Sequence, residues 1–159
     1  MEWQIGPAQT SSGQQTGNPD PAQDHSTTSD NGVAGVQIGG NATITASQLH
    51  GYYYLTSPPF DTSGATGSVI LGFYRWLNSD FGPYMTNIIE VWNGTAWIQV
   101  WKSSATISDA AWLYQSYDIT ASKNAAMQVR FGFDIEKTGV FKASSWNIDD
   151  VQVASAACP

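Results

Sequence analysis

Side chains that carry oxygen atoms are concentrated in one short stretch near the start of the chain. Calcium takes six to eight oxygen ligands from carboxylates, amides and backbone carbonyls, and a turn-rich loop can wrap around the ion to present them. The stretch does not have the ligand spacing of an EF-hand. Asp and Asn also cap turns beside proline and glycine, so the spacing favours calcium binding and turn capping equally. The residues, all within GNPDPAQDHSTTSDNG, are Asn18, Asp20, Asp24, Asp30 and Asn31.

A second acidic feature is the pair Asp149 and Asp150 in the closing segment SSWNIDDVQV. Consecutive side chains of a strand point to opposite faces, so only one of the two faces inward. Asp is disfavoured in strands, and the inward member needs a cation or several donors, such as the backbone amides of a loop. Glu2, on the first predicted strand, is a further candidate metal ligand. Hydrogen bonding at a sheet edge is the alternative role for the pair.

Three tryptophans in IIEVWNGTAWIQVW are candidates for ligand binding, and the turn between the two strands decides where they face. Asn-Gly favours a two-residue hairpin turn. That turn pairs Trp92 with Thr95 and puts Trp92, Trp97 and Trp101 on one polar face, suited to stacking on a sugar or covering a partner. A three-residue bulged turn instead moves Trp97 and Trp101 to the buried face, where large aromatic side chains are more often found.

Motifs that mark common enzymes are missing from the sequence. It has no Gly-rich phosphate loop, no HExxH and no GxSxG elbow. His25 and His50 have no partner histidine at metal-ligand spacing, so we expect them to be surface or turn residues. We therefore expect this chain not to be an enzyme.

Charge and composition exclude further classes of function. The formal net charge of −7 repels phosphate backbones and anionic membrane surfaces, so nucleic acid is not an expected partner. No apolar run is long enough to span a bilayer, and no signal peptide is recognisable. We expect one domain over residues 1–159, cut from a larger exported protein, with residues 154–159 as a tail. Cys158 is either a loose thiol or the partner of a cysteine outside this chain.

Short alternating or apolar runs between turn signals predict strands rather than helices. Regular spacing without crossover helices favours an all-β fold, an antiparallel two-sheet β-sandwich. Residues 9–31 hold no large apolar side chain and are predicted to form one long loop. The nine predicted strands cover residues 2–5, 33–38, 52–56, 68–77, 87–92, 96–101, 112–119, 126–135 and 145–153.

The order YYYLTSPPFD, FYRWLNSD, EVWNGTAWIQVW, AAWLYQSYDIT, VRFGFDI and WNIDDVQV resembles MAM-like and cleaved-adhesin domains of bacterial extracellular proteins. The resemblance implies a jelly-roll topology of the concanavalin or galactose-binding type, without catalysis. It also implies a structural calcium ion near the first loop, and a secreted or cell-surface location. For the matching positions it implies metal ligands at Asp20, Asp24, Asp30, Asp149 and Asp150. The disulfide cysteines of animal MAM domains are missing.

Two functions are therefore expected from the sequence. The first is a calcium-stabilised extracellular binding or adhesion module, which recognises a protein or surface glycan or assists a catalytic neighbour. The alternative is a carbohydrate-binding module of a secreted glycosidase or other polysaccharide-active enzyme, since seven tryptophans and seven tyrosines could supply stacking platforms.

Overall fold

The structure is a computed structural model that describes residues 3–42, 47–139 and 145–155. In this part of the chain no helix is long and apolar enough to cross a membrane. One 3-10 turn, Thr120–Ser122, interrupts a succession of strands. The strands are β1 Trp3–Pro7, β2 Gly32–Val36, β3 His50–Thr56, β4 Ile70–Ser79, β5 Met85–Trp92, β6 Trp97–Lys102, β7 Ile107–Ser108, β8 Leu113–Asp118, β9 Gln128–Ile135 and β10 Ser145–Ala154.

The named strands pair in antiparallel fashion and form two sheets. The six-stranded sheet has the order β1-β2-β10-β4-β7, and β8 also pairs with β4. The four-stranded sheet has the order β3-β9-β5-β6. Most neighbours within a sheet are far apart in sequence, and the last strand lies between β2 and β4. The expected all-β sandwich of two antiparallel sheets is confirmed.

Alternation along the strands places one set of large apolar side chains between the two sheets. Phe73 of β4 and Phe131 of β9 meet there edge to face, with ring centroids 5.1 Å apart. Trp146 of β10 is completely buried, and its ring lies 6.0 Å from that of Phe131. Burying each such side chain contributes about 1.5–3 kcal/mol, so this core holds the sheets face to face.

Each predicted strand that lies within the described residues occurs, with its ends displaced by at most two residues. The strand β7 was not predicted, because two residues are too few to show an alternation. The predicted tail begins too early, since β10 continues through Ala154, which pairs with Ile70. Glu2 and Cys158 lie outside the described residues, so their predicted roles stay predictions.

Candidate functional site

The polar loop of residues 8–31 lies across the outer face of the six-stranded sheet. Indole N–H groups of the sheet donate to carbonyl groups of the loop, Trp76 to Pro19 O at 3.0 Å and Trp112 to Gln23 O at 3.0 Å. The amide Nδ2 of Asn147 donates to Asp20 Oδ1 at 2.8 Å. The predicted long loop is therefore ordered by contacts with β4, β10 and the residue that precedes β8.

Asp149 holds the middle of this loop through backbone amides. Its Oδ2 accepts from His25 N at 2.7 Å and from Ser26 N at 3.4 Å, and its Oδ1 accepts from Asp150 N at 2.8 Å. The sequence left open whether a cation or loop amides neutralise this carboxylate. In the described residues backbone amides donate to this carboxylate.

Asp150 faces the solvent side of the same loop. The strand register shifts between Asp149 and Gln152, and Asp150 has a φ of 50°, a left-handed conformation that Asp tolerates. Asp150 Oδ2 lies 2.8 Å from His25 Nδ1, and the His25 ring stacks on Tyr74 with centroids 3.3 Å apart. His25 is thus a half-buried contact residue. It lies at a bend of the loop with 33% of its side chain exposed, as expected of a surface or turn residue. His50 instead begins β3 and stacks on Tyr53, with ring centroids 4.2 Å apart.

The remaining predicted metal ligands of the loop have hydroxyl partners of their own. Asp24 Oδ2 accepts from Ser26 Oγ at 2.9 Å and lies 3.3 Å from Thr28 Oγ1. Asp30 Oδ1 accepts from Thr28 Oγ1 at 2.5 Å, and this hydrogen bond lowers the pKa of Asp30. Asn31 Oδ1 accepts from Asp24 N at 2.8 Å, while Asn18 Nδ2 donates to Asp109 O at 3.1 Å. These contacts are those of side chains that cap turns.

The structure brings no three of the described predicted carboxylates into one group, and Glu2 lies outside the described residues. Among the described residues no three acidic, histidine or cysteine side chains form a group that could hold a metal ion. One feature does fit a cation. Asn147 Oδ1 is buried and has no donor within the described chain, and the same side chain bonds Asp20, which is only 3% exposed. These two side chains supply only part of the six to eight oxygens of a calcium site.

The β5–β6 hairpin has neither of the predicted turns. Trp92 pairs with Trp97, and Asn93 Oδ1 accepts from Thr95 N and Ala96 N, both at 2.9 Å, which closes a four-residue loop. The pairing of Trp92 with Thr95, which a two-residue turn would require, does not occur. Trp92 and Trp97 therefore share the outer face of the four-stranded sheet, with ring centroids 5.7 Å apart.

A bulge at Val100 reverses the orientation of Trp101. Glu90 pairs with Gln99, whereas Ile89 pairs with Trp101, so Trp101 lies on the same face as the buried Ile89. It packs against the core, with its ring 6.3 Å from that of Trp146. Trp101 is therefore removed from the predicted ligand-binding strip, and Trp92 and Trp97 remain.

On this outer face the two tryptophans belong to a larger arrangement, which we call the aromatic layer and which comprises Tyr52, Tyr54, Trp92, Trp97 and Arg130. The guanidinium carbon of Arg130 lies 3.9 Å from the ring centre of Tyr54 and 4.0 Å from that of Trp97. Tyr52 stacks on Tyr54 at 5.7 Å. The layer thus crosses all four strands of the sheet, from β3 to β6.

A glycine beneath the layer allows Tyr54 to lie close to the sheet. A Cβ atom at Gly132 would lie 2.5 Å from Tyr54 Cε1 and 2.7 Å from Tyr54 Cδ1. Tyr54 and Gly132 are cross-strand partners. The Tyr54 ring occupies the space that a side chain at position 132 would need. Glycine is the residue that permits this approach.

The charges of the layer are paired within it. Arg130 Nε and Nη2 each lie 2.8 Å from Glu90 Oε2, in a half-buried ion pair. Burial, together with a hydrogen bond to Glu90, raises the pKa of Tyr54 to about 12. A hydrogen bond with Tyr52 raises the pKa of Lys102 at the edge of the layer. The layer is therefore a fixed surface of rings without an unpaired buried charge.

Sequence reasoning missed Tyr54 and Arg130 as members of this surface. The alternation in HGYYYLT places Tyr52 and Tyr54 on one face of β3, and this signal was available. The place of Arg130 depends on the order β3-β9-β5-β6, which no local pattern reveals.

Comparisons with known proteins give weak structural likenesses. No family model and no curated protein sequence matches the chain. The K1 cleaved adhesin domain of Lys-gingipain from Porphyromonas gingivalis W83 is similar over 98% of this chain and 85% of its own, at 12% identity and a TM-score of 0.49.

Two further solved structures are similar at lower scores. One described as CBM4 covers 96% of this chain and 85% of its own, at 15% identity and a TM-score of 0.41. Dimeric latent PorU from P. gingivalis covers 94% of this chain and 13% of its own, at 12% identity and a TM-score of 0.36. None of the three descriptions names a MAM domain.

Proposed function

We propose that this chain is a non-catalytic extracellular binding or adhesion module that recognises a partner protein through the aromatic layer. The observation that carries this proposal is Arg130, held between the rings of Tyr54 and Trp97 on the outer face of the four-stranded sheet. Trp, Tyr and Arg are the residue types that dominate binding energy in protein interfaces. Here all three occur in one contiguous, half-buried surface.

The rigidity of the layer favours binding. Ordering loose side chains costs about 0.5–1.5 kcal/mol for each one that an interface immobilises. In this layer ring stacking and the Arg130–Glu90 ion pair already fix the side chains. When a partner covers the layer, the side chains of the layer therefore lose little conformational entropy. The guanidinium of Arg130 also keeps its carboxylate partner, Glu90.

The same contacts favour a protein over a glycan. A sugar stacks on the free face of an aromatic ring, and the guanidinium of Arg130 covers one face of Tyr54 and one of Trp97. The elongated row across four strands is the feature that favours the alternative, a carbohydrate-binding module. Such a module would use Trp92 and the ring edges rather than the two faces beside Arg130.

The roles of the acidic side chains support a module without catalysis. Asp149 binds loop amides, Glu90 pairs with Arg130, and Asp109 pairs with Arg75 at 2.9 Å. Each of these carboxylates has a partner that explains its position in the fold. An exported module, which the sequence features suggest, would use such a scaffold to present its surface.

Calcium is retained as part of the proposal at one place, the buried pair Asp20 and Asn147. The support is the amide oxygen of Asn147, which is buried without a donor among the described residues, beside a buried carboxylate. An ion there would strengthen the attachment of the loop to β10. Thermal melts in calcium and in chelator test this part of the proposal.

Paired arrays test the choice of ligand. The purified chain is applied to an array of exported and cell-surface proteins and to a glycan array, each with calcium and with chelator. We expect concentration-dependent, saturable binding on the protein array and silence on the glycan array. Saturable binding to polysaccharides alone would replace the proposal by the carbohydrate-binding alternative, and silence on both arrays would contradict both.

A further inference from the structure

A second aromatic feature lies on the opposite sheet, where the polar loop meets the six-stranded sheet. It is a cleft of about 430 Å³. The indole rings of Trp76 and Trp112 form its corner, with centroids 5.9 Å apart and planes at 74°. The lining residues are Pro21, Ala22, Gln23, Asp24, Trp76 and Trp112. We call this the indole cleft.

The two rings of the indole cleft are held in place by the loop. Each indole N–H donates to a loop carbonyl group at 3.0 Å, one to Pro19 and the other to Gln23. The rings are thus fixed before any ligand arrives. Because both N–H groups are already used, the rings offer a ligand only their π-electron surface, which attracts cations.

The charge around the cleft has the matching sign. Asp24 lines it, and the partners of this carboxylate are the neutral hydroxyl groups of Ser26 and Thr28. None of the ion pairs between described residues involves Asp24. None of the six lining residues is basic, and the whole chain carries a formal charge of −7. A cation bound beside the rings would therefore meet an uncompensated negative charge.

The chemistry of the lining distinguishes between kinds of cation. A primary ammonium has three N–H donors and is strongly hydrated, so it needs several acceptors in its site. The indole cleft presents one charged acceptor, Asp24, beside the amide of Gln23 and two ring surfaces, and the rings suit a weakly hydrated cation without N–H donors. We propose that the indole cleft binds a quaternary ammonium group of the choline type, with the rings of Trp76 and Trp112 around the methyl groups and Asp24 beside the charge.

Titration with choline chloride, followed by tryptophan fluorescence, tests this inference on the full chain in chelator. We expect saturable binding with a Kd of about 1 mM, a typical order for a small ligand held by few contacts. The uncharged isostere 3,3-dimethyl-1-butanol should bind at least about tenfold more weakly, which corresponds to 1.4 kcal/mol. Nα-acetyl-lysine amide, which carries a primary ammonium at Nζ, should also bind more weakly than choline.

Variants locate the site. Asp24→Asn keeps an oxygen acceptor for Ser26 and Thr28 but removes the charge, and should weaken choline binding about fivefold or more, by analogy with exposed cation–π and ion-pair energies. Asp118→Asn is the matched control, since it makes the same change of charge at an exposed site that faces Thr120. Trp112→Ala should abolish binding, whereas Trp97→Ala on the other sheet should not.

Three results would overturn the inference. Equal affinity for choline and its uncharged isostere would make the cleft a merely apolar one. Equal effects of Asp24→Asn and Asp118→Asn on choline affinity would mean that the net charge of the chain, and not Asp24, attracts the cation. No saturable change with choline in the wild-type chain would remove the site altogether. None of these results bears on the aromatic layer, which lies on the other sheet.

Discussion

The backbone N–H of His25 donates to Asp149 Oδ2 at 2.7 Å across 124 positions of the sequence. This bond joins the middle of the first loop to the bulge of the last strand. Backbone amides that donate hydrogen bonds to a carboxylate stabilise its negative charge, as a bound cation would. The order of the loop therefore depends first on Asp149, and any calcium ion acts in addition.

Replacing Asp149 by alanine should destabilise the fold. The change leaves the N–H groups of His25, Ser26 and Asp150 without their acceptor, and hydrogen bonds to charged groups contribute about 1.5–3 kcal/mol. We expect the free energy of unfolding in urea to fall by about 2–3 kcal/mol. Glu136→Ala, at an exposed position, serves as control and should stay within about 0.5 kcal/mol. Equal losses for the two variants would argue against the anchoring role.

Replacing Gly132 by alanine should disturb the aromatic layer. The new Cβ would meet the Tyr54 ring at 2.5–2.7 Å, so the ring must move away from Arg130. Such overpacking costs about 1–3 kcal/mol, and the near-UV circular dichroism of the stacked rings should change with it. Gly51→Ala is a matched control on β3, because a Cβ there meets nothing within 4 Å. If both variants unfold at the wild-type urea concentration, Tyr54 does not lie where we describe it.

Stability at high pH should depend on Tyr54. Its pKa is raised from 10.0 to about 12 in the folded chain, by burial and by the hydrogen bond to Glu90. Because the pKa is raised in the folded state, the stability that the neutral Tyr54 hydroxyl contributes is fully present below pH 10. It is lost as the pH rises from 10 to about 12. Urea midpoints of wild type and Tyr54→Phe, measured from pH 8 upwards, should therefore converge in this window, since the other titrating groups are common to both. Urea midpoints of the two proteins that stay equally far apart from pH 8 to pH 12 would contradict the raised pKa of Tyr54.

Calcium should raise the melting temperature if Asp20 and Asn147 help to hold an ion. At a hundredfold excess over Kd, a ligand bound only to the folded state adds about 2.7 kcal/mol of stability. We expect a higher melting temperature in calcium than in chelator for the wild type. Asp20→Asn keeps an acceptor for Asn147 but removes the charge, and should lose most of the difference. An identical wild-type melt in calcium and in chelator would end the calcium proposal.

Local pattern was enough to predict the strands, because the apolar runs of β4, β5 and β9 between turn signals are largely buried. It was also enough to state that Asp149 needs donors. It failed at the hairpin, since Asn93 caps a four-residue loop instead of occupying a two-residue turn, and Val100 bulges out of the ladder. A bulge of this kind leaves no local signal, yet it decides that Trp101 faces the core.

The partners of side chains that meet across the sheets could not be predicted. Arg130 reaches Trp97 only because β5 lies between β9 and β6, and Glu90 lies opposite Arg130 for the same reason. Asp20 likewise meets Asn147 over 127 positions of sequence. These pairings follow from strand order, which the sequence pattern leaves undetermined.

The most direct test of the account is the affinity of the strongest-binding array protein for two tryptophan variants, measured by titration calorimetry. Trp97→Ala removes a ring from the aromatic layer, and Trp112→Ala removes one from the opposite sheet. We predict a loss of about 2 kcal/mol or more for Trp97→Ala, close to thirtyfold in Kd, and less than about threefold for Trp112→Ala. Unchanged affinity for Trp97→Ala, or a larger loss for Trp112→Ala, would contradict the assignment of the aromatic layer as the binding surface.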